Sequence, residues 1–259
     1  MSTGNPFSLT GKTALVVGAS RGIGLAIAQH YARAGAHTVL ASRSKDALEK
    51  AAAELRAEGF SAEARVVDAA DPDSIHALLD GLAELDILAN VAGINVRKPF
   101  TEYSDADYEH IMQTNLKGLF QLTQAAGKKM IARGKGGKII LIGSLVSVVG
   151  LPYVSIYAMS KSALAGLTRV VASELGKHDI QVNCIAPGFI VTDLNRDMWV
   201  RPDMNEWLKG VQAMPRTGTT GEVAATAVFL SAPASNFITG QVIAVDGGYT
   251  TTAVWPYQP

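Results

Sequence analysis

The residues in this chain best suited to acid–base chemistry are a tyrosine, a lysine and a serine at fixed spacing. Tyr157 and Lys161 are four residues apart, and Ser144 precedes Tyr157 by thirteen positions. Residues i and i+4 share one face of a helix, so the phenol and the ammonium would project together. A phenol that titrates near pH ~10 needs a shift of roughly 3 units to exchange protons near neutrality, and an adjacent ammonium acts in that direction. The trio predicts proton exchange with a hydroxyl or carbonyl oxygen that Ser144 holds in place.

A glycine-rich turn near the N-terminus indicates dinucleotide binding. An apolar run that ends at Val17 leads into the spacing G-x-x-x-G-x-G and then into a helical pattern. Glycines let the backbone approach a pyrophosphate closely, and the N-terminus of the following helix stabilises its charge. The predicted contacts in this turn are Gly18, Ser20, Arg21, Gly22, Ile23 and Gly24. Hydride transfer on a nicotinamide beside the tyrosine would interconvert an alcohol and a carbonyl compound.

The residues after the second predicted strand favour NADP over NAD. An acid at this position would bind the ribose 2′-hydroxyl of NAD. Here the strand ends instead in Ser42 and Arg43. Arg43 and Arg21 can flank a 2′-phosphate, and Ser42 can donate a hydrogen bond to it. Asp68, after the third strand, suits either an adenine amino group or the cap of the next turn. We therefore expect NADP as the cofactor, with NAD as the alternative.

Apolar, β-branched runs alternate with segments of helical periodicity along the chain. The predicted strands are Thr13–Val17, Thr38–Ala41, Ala64–Val67, Ile87–Ala89, Lys138–Ile142, Gln181–Ile185 and Val242–Val245. The predicted helices are Ile23–Arg33, Lys45–Glu58, Asp73–Leu82, Asp105–Arg133, Ser155–Leu175 and Glu222–Leu230. Near-continuous apolar strands are typical of parallel sheets that helices cover on both faces. The pattern predicts one α/β domain over residues 1–259, with a doubly wound sheet of seven parallel strands.

Residues 188–215 interrupt this alternation with short, poorly periodic pieces that contain two tryptophans. They follow the sixth predicted strand, at the carboxyl edge of the sheet where such folds bind ligands. We interpret the segment as a substrate lid, and a merely structural excursion is the alternative.

Composition argues against several partners and sites. Lys+Arg and Asp+Glu both number 23, so no bulk charge favours nucleic acid or an anionic membrane. The single cysteine, Cys184, excludes an intrachain disulfide and suits the reducing cytoplasm. The five histidines lack metal-ligand spacing, so no metal is expected. The uncharged stretch 139–160 is broken by glycine, serine and proline, which favours a strand and a loop over a membrane span.

Several motifs in one order resemble the short-chain dehydrogenase/reductase family over essentially the whole chain. The matching residues are Gly18-x-x-x-Gly22-x-Gly24, Asn90-Val91-Ala92-Gly93, Asn115, Ser144, Tyr157-x-x-x-Lys161, Pro187-Gly188 with Thr192, and Asp246-Gly247-Gly248. The resemblance implies a Rossmann-type domain with a catalytic tetrad of Asn115, Ser144, Tyr157 and Lys161. It also implies cofactor contacts at Asp68, Ala69, Asn90, Ala92, Gly93, Tyr157, Lys161, Pro187, Gly188, Ile190 and Thr192.

The resemblance further implies a role for each member of the tetrad. In that family the tyrosine exchanges the substrate proton and the serine orients the substrate oxygen. The lysine lowers the pKa of the tyrosine and holds the nicotinamide ribose, while the asparagine shapes a helix and positions a relay water. Related members are homotetramers built on helices corresponding to 105–133 and 155–175. The aromatic segment 254–257 is expected to pack on a neighbouring subunit.

Residues 93–100 and 192–196 are similar to segments of gluconate 5-dehydrogenases and 2-deoxy-gluconate 3-dehydrogenases within this family. Arg97 follows the fourth strand, where its guanidinium can pair with a sugar-acid carboxylate. Lys98 and Arg196 fit an exposed position equally well. The candidate substrate contacts are Arg97, Ser144, Tyr157, Asn195 and Arg196. We expect a sugar acid or a polyol as the substrate.

Two other functions remain open at this stage. A 3-oxoacyl-carrier-protein reductase would use basic residues on the long helices, and Lys128 and Lys129 are available for an acidic carrier. However, Ala172-Ser173 stands where such reductases usually carry an arginine. A catalytically silent dinucleotide sensor is the third interpretation, against which the complete tetrad argues.

Overall fold

Seven parallel strands form one sheet in the order β3-β2-β1-β4-β5-β6-β7 in the computed structural model, which describes residues 4–253. The strands are β1 Thr13–Val17, β2 His37–Ser42, β3 Ala62–Val66, β4 Ile87–Asn90, β5 Gly137–Ile142, β6 Ile180–Pro187 and β7 Val242–Val245. Strand order reverses between β1 and β4, and open α/β sheets bind ligands at such a switch point. The predicted doubly wound, Rossmann-type sheet is confirmed.

Helices cover both faces of this sheet. They are α1 Gly22–Arg33, α2 Lys45–Ala57, α3 Pro72–Asp80, α4 Asp105–Met112, α5 Leu119–Arg133, α6 Ser155–Leu175, α7 Arg196–Trp199, α8 Pro202–Val211 and α9 Thr220–Ser231. Helices α1, α2 and α9 pack in the core on one face, and α3, α5 and α6 pack in the core on the other.

Strand β1 shows why its sequence is apolar at every position. Side chains alternate between the two faces of a strand. Ala14 and Val16 therefore pack in the core with α1, whereas Leu15 and Val17 pack in the core with α3 and α5. Burial of a leucine or valine side chain contributes about 1.5–3 kcal/mol. This two-sided core holds the carboxyl ends of the strands, and the site that they support, in fixed positions.

A wide, π-helical turn at Gln113–Gly118 separates α4 from α5. The prediction of one continuous helix over 105–133 is wrong at this point. Gln113 donates to the carbonyl of Ala70 at 2.7 Å, and a side chain at Gly118 would collide with the carbonyl of Ala69. The loop after β3 thus fits into the turn. Such turns often occur at functional sites, and this one contains Asn115.

The lid segment, residues 188–215, contains the two helices α7 and α8, which the sequence pattern does not predict. The start of this segment is joined to the chain just beyond its end, since Val191 donates to the carbonyl of Gly218 at 3.0 Å. Gly218 in turn donates to the carbonyl of Phe189 at 2.9 Å. Phe189 contacts the rings of Trp199, Trp207 and Tyr249 at centroid distances of 5.3, 5.3 and 4.9 Å. An aromatic cluster therefore fastens the lid segment to the sheet edge.

No helix within residues 4–253 combines the length and apolar character that crossing a bilayer requires. In the same range, no three His, Cys, Asp or Glu side chains are grouped so that they could hold a metal ion. The aromatic segment 254–257 lies outside the described residues.

Candidate active site

The glycine turn after β1 brings two backbones into close contact. Gly18 has a φ of +95°, and its amide donates to the carbonyl of Ala41 at 2.7 Å. A Cβ atom at Gly18 would lie 2.8 Å from the amide nitrogen of Ala92, and one at Gly24 would collide with the carbonyl of Gly18. Glycine is therefore required twice, because the turn approaches the end of β4 and then enters α1 directly.

The N-terminus of α1 is suited to an anion. Among the described residues, no side chain caps this helix, and its first turn contains no acidic residue. The first amides of a helix lack intrahelical partners and carry partial positive charge, so they can bind a pyrophosphate. Thr192 lies across the turn, with its methyl group 3.6 Å from a Cβ position at Gly22. The residues present fit a dinucleotide.

The 2′-phosphate end of the predicted cofactor site is open and basic. Arg21 and Arg43 are both exposed, and Ser42 is half-buried. The Ser42 hydroxyl accepts from the Ser44 amide at 3.1 Å, so it retains its own proton for donation. Asp68 accepts from the Ala70 amide at 2.9 Å and thus caps the next turn, one of the two alternatives that its position predicts.

Asn90 ends β4 at the switch point and is fully buried. Its amide nitrogen donates to the carbonyl of Leu119 at 3.0 Å, which ties β4 to the start of α5. Within residues 4–253 its side-chain oxygen has no hydrogen-bond partner. An unsatisfied buried acceptor is costly, so a donor from a bound ligand would stabilise it. Ala92 and Gly93 follow, and a Cβ at Gly93 would lie 3.4 Å from the Lys161 ammonium.

Asn115 is fully buried in the π-helical turn and joins three elements. Its oxygen accepts from the Ile94 amide, and its nitrogen donates to the Ile94 carbonyl, both at 2.8 Å. The same nitrogen donates to the Ser160 hydroxyl at 3.2 Å, and that hydroxyl donates to the carbonyl of Tyr157 at 2.7 Å. Asn115 therefore fixes the segment after β4 against α6.

Tyr157 and Lys161 project from one face of α6 toward the end of β5. The Lys161 ammonium lies 5.6 Å from the centroid of the Tyr157 ring and donates to the carbonyl of Ile142 at 2.7 Å. Burial lowers the pKa of Lys161 to about 8, and the charge interaction with Cys184 acts in the opposite direction. With a pKa of about 8, Lys161 is mostly protonated at neutral pH, so an ammonium lies beside the ring of Tyr157.

Burial raises the pKa of Tyr157 above its ordinary value, while hydrogen bonding with Ser144 and the positive charge of Arg97 lower it. The sequence predicts a pKa lowered by Lys161. The structure differs because the desolvation of the phenol outweighs both favourable neighbours. The Ser144 hydroxyl accepts from the Val146 amide at 3.4 Å, which leaves its proton free for an oxygen atom in the site.

Arg97 and Lys98 behave differently although they are adjacent. Arg97 is exposed, yet its charge acts on the Tyr157 phenol, so it faces the mouth of the site. Lys98 forms an ion pair with Asp107 at 2.6 Å and supports the start of α4. Lys98 is therefore structural, whereas Arg97 is available to a ligand.

The predicted contacts after β6 lie along the start of the lid segment. Pro187 ends β6 in register with Val245, and a Cβ at Gly188 would lie 2.6 Å from the Cα atom of Asp246. Ile190 is buried, and its carbonyl accepts from the Asn195 amide nitrogen at 2.9 Å. The close packing fixes the direction in which the chain leaves the sheet.

The side chains of Asn195 and Arg196 make local contacts. The Asn195 oxygen accepts from the Thr192 amide at 2.7 Å and from its hydroxyl at 3.2 Å. Arg196 pairs with the exposed Asp193 at 3.2 Å. Both residues order the lid segment, and a direct contact of either with substrate stays a prediction.

Two serines that the sequence reasoning missed connect the tetrad. Ser160 lies between Asn115 and the backbone of Tyr157. Ser147 lies between Ser144 and Lys161. The only sequence signal is position, since Ser160 directly precedes Lys161 and Ser147 is three residues after Ser144.

Comparison with known proteins agrees with this geometry. A family model described as enoyl-(acyl carrier protein) reductase matches residues 18–250. Gluconate 5-dehydrogenase of Gluconobacter oxydans is 40% identical over 97% of this chain and 100% of its own. 2-Dehydro-3-deoxy-D-gluconate 5-dehydrogenase of Bacillus subtilis is 40% identical, with 94% of this chain and 96% of the relative covered.

Solved structures show the same likeness. A gluconate 5-dehydrogenase from Burkholderia cenocepacia, in complex with NADP and tartrate, has a TM-score of 0.91 and 37% identity. The match covers 96% of this chain and 98% of that one. With the glycine turn, the switch-point asparagine and the Ser144–Tyr157–Lys161 arrangement in place, the chain belongs to the short-chain dehydrogenase/reductase family.

Proposed function

We propose that this protein is an NADP-dependent oxidoreductase that interconverts a secondary alcohol and a ketone on a sugar acid. The observation that carries the proposal is the convergence of Asn115, Ser144, Tyr157 and Lys161 beside a glycine turn that fits a dinucleotide. Bound NADP would accept the hydride of the alcohol, and its reduced form would return one to the ketone.

The chain supplies the proton transfer. Ser144 donates a hydrogen bond to the substrate oxygen, and Tyr157 takes the hydroxyl proton in oxidation or gives one in reduction. Lys161 holds positive charge near the phenol and is held in turn by the carbonyl of Ile142. Asn115 fixes the backbone at Ile94, from which a water can relay protons to solvent.

Cofactor choice follows from the residues at the end of β2. We propose that Arg43 and Arg21 bind the 2′-phosphate and that Ser42 donates a hydrogen bond to it. Asp68 and Ala69 would border the adenine. Residues along the rest of the dinucleotide would be Gly18, Ser20, Gly22, Ile23, Gly24, Asn90, Ala92, Gly93, Pro187, Gly188, Ile190 and Thr192.

Substrate choice depends on Arg97 and the lid segment. The charge of Arg97 reaches Tyr157, so a carboxylate bound by its guanidinium would place a neighbouring carbinol carbon near the phenol. The relatives named gluconate 5-dehydrogenase act on a polyhydroxy acid, which has this combination of groups. We infer that the lid segment covers the bound substrate.

The test is a screen of gluconate, 2-deoxygluconate, neutral polyols and acetoacetyl thioesters with NADP and NAD, followed by cofactor absorbance. We expect turnover of a sugar acid with NADP. Turnover of the thioester alone would assign the carrier-protein reductase function instead, for which Lys128 and Lys129 on α5 are available.

A substitution at Arg97 distinguishes the loss of a carboxylate contact from a general loss of activity. Arg97→Gln should raise KM for a sugar acid about tenfold, because a charge-assisted hydrogen bond is lost, and should leave KM for neutral polyols nearly unchanged. Arg201→Gln is the matched control, since Arg201 pairs with Asp203 on the surface of the lid segment. Equal effects of the two variants would remove Arg97 from the substrate site.

We also propose a homotetramer in the cytoplasm. A pocket of about 660 Å³ between α4, α5 and α6 is bordered by Met112, Leu116, Phe120 and Leu167. Phe120 is 45% exposed, and Val170 on α6 is 57% exposed, so this face is apolar. Light scattering after size-exclusion chromatography should give four times the chain mass, and a monomer mass would contradict the proposal.

A further inference from the structure

Ser147 connects two catalytic residues that lie on different elements. Ser144 follows β5, while Lys161 lies on α6. The Ser147 hydroxyl donates to the backbone carbonyl of Lys161 at 2.9 Å and accepts from the backbone amide of Ser144 at 3.3 Å. One hydroxyl thus uses its donor and one acceptor to join the Ser144 loop to the helix that carries Tyr157.

The packing around Ser147 leaves its hydroxyl little freedom. A Cβ atom at Gly143 would lie 3.1 Å from the Ser147 hydroxyl and 2.8 Å from the Cys184 sulfur. Glycine at 143 therefore makes room for both side chains. The Ser147 amide donates to the Ser144 carbonyl at 2.8 Å, so the loop is a closed turn. The hydroxyl consequently sets the distance between this turn and α6.

We propose that Ser147 is a positioning residue that fixes the separation between the Ser144 hydroxyl and the Tyr157 phenol. The inference rests on the proposed function, in which Tyr157 exchanges the substrate proton. Ser147 touches neither reacting atom. It acts indirectly, because it holds the turn that carries Ser144 at a fixed position relative to the helix that carries Tyr157.

The charged and polar groups around Tyr157 show how its pKa would change if the turn that carries Ser144 were less firmly held. Ser144 and Arg97 lower the pKa of Tyr157 against the larger effect of burial. Lys161 lies under the ring, and Cys184 interacts with Lys161 from β6. Of these groups, only Ser144 lies on the turn that Ser147 holds. Removing the Ser147 hydroxyl should therefore weaken the Ser144 contribution and raise the pKa of Tyr157.

The test compares Ser147→Ala and Ser147→Cys with wild type in the pH profile of kcat/KM for alcohol oxidation. Cysteine keeps the shape of serine, with a slightly larger atom in place of oxygen, but is a weak hydrogen-bond donor, whereas alanine is smaller, so the two variants together separate hydrogen bonding from packing. Both variants should move the rising limb upward by roughly half a unit to one unit, with a loss of about threefold to tenfold in kcat/KM. The Kd for NADP should stay within about twofold of wild type, because a single weakened contact elsewhere changes affinity little.

Ser162→Ala is the matched control. Ser162 is exposed on α6, and its hydroxyl donates to the Val146 carbonyl at 3.4 Å, so it bonds to the same turn without linking Ser144 to Lys161. Its pH profile should equal that of wild type. An unmoved limb in folded Ser147→Cys, or the same shift in Ser162→Ala, would overturn the positioning role.

A direct titration of Tyr157, which needs no substrate turnover, tests the positioning role of Ser147 separately from the proposed function. The ultraviolet absorbance of tyrosinate, taken as the difference between each chain and its Tyr157→Phe counterpart, reports Tyr157 ionisation directly. A chain inactive on every alcohol would remove the proposed function. The Ser147 variants would still have to titrate at higher pH than wild type for the positioning role to stand.

Discussion

The cofactor half of the site is built from backbone, whereas the catalytic half is built from side chains. Around Gly18 and Gly24, the close packing requires the absence of Cβ atoms, and the N-terminus of α1 has no side-chain cap. Around Tyr157, it depends on hydroxyls and amides that link four elements through hydrogen bonds. The first half is therefore sensitive to added Cβ atoms, and the second is sensitive to the loss of side-chain hydrogen-bonding groups.

The largest expected effect is in the catalytic half. Tyr157→Phe removes the proton donor, and general acid–base catalysis typically contributes 10²–10⁴-fold, so we expect kcat to fall by about that factor. Binding of NADP, measured by fluorescence quenching, should be retained because the ring remains. Loss of NADP binding together with turnover would show that the phenol also anchors the cofactor.

Gly18→Ala should abolish NADP binding by forcing apart the backbone of the glycine turn and the backbone at Ala92. The added Cβ would meet the amide of Ala92 at 2.8 Å in a left-handed conformation, so we expect a loss of roughly 2–4 kcal/mol in unfolding free energy and no NADP binding. Gly11→Ala is the control, since Gly11 also has a positive φ (+76°) but its Cβ would lie in open space. Urea unfolding measures both, and equal losses would mean that backbone strain alone explains the effect.

Arg43→Ala sharpens the comparison, because Arg43 is the residue of the cofactor half whose side-chain charge should decide between NADP and NAD. Loss of a charge-assisted contact should raise KM for NADP about tenfold to a hundredfold and leave KM for NAD nearly unchanged. Arg33→Ala is the control, because Arg33 at the end of α1 forms only an exposed ion pair with Glu58. A parallel rise for both cofactors would contradict the assignment of the phosphate site.

The last prediction concerns charge burial in the catalytic half, and it is a pH dependence of stability rather than a loss of binding or turnover. Burial lowers the pKa of Lys161 to about 8, whereas the unfolded chain regains an ordinary value near 10.4. Between these values the unfolded state binds more protons, so this group increases the free energy of unfolding by about 1.4 kcal/mol per pH unit as pH rises. Below pH 8 its full penalty is present.

Lys161→Met lacks this titration. Its stability relative to wild type should therefore fall as pH rises from about 8 to 10, as measured by urea unfolding. Lys45→Met, at an exposed position on α2, should show no such trend. Stability curves for Lys161→Met and wild type that run parallel would contradict the buried ammonium.

The sequence predicts the sheet well because parallel strands are apolar on both faces. All seven strands occur where predicted, with β6 extended to Pro187. The wide turn at Gln113–Gly118 could not be predicted, because it depends on the approach of the Ala69 carbonyl from a distant strand end. The lid helices were missed since α7 is only four residues long and α8 buries little more than Leu208.

The candidate site was predictable where residue type alone implies chemistry. Tyr157, Lys161 and Ser144 carry reactive groups, and the structure brings them together at the end of β5. Ser147 and Ser160 are ordinary serines by sequence, and their roles depend on hydrogen-bond partners that only the folded chain brings near. The direction of the Tyr157 pKa was also out of reach, because it depends on how completely the fold excludes water.

The closed base of the lid segment has an evolutionary consequence. The hydrogen bond between Val191 and Gly218 holds together the two chain positions that flank the interior of this segment. The entropic cost of closing the loop between them grows only slowly with the length of the loop. Insertions in that interior that keep Thr192, Trp199 and Trp207 should leave the sheet and the proton-transfer groups intact. Under the proposed role of this segment as a substrate lid, new substrate ranges can arise by recombination within one short gene segment.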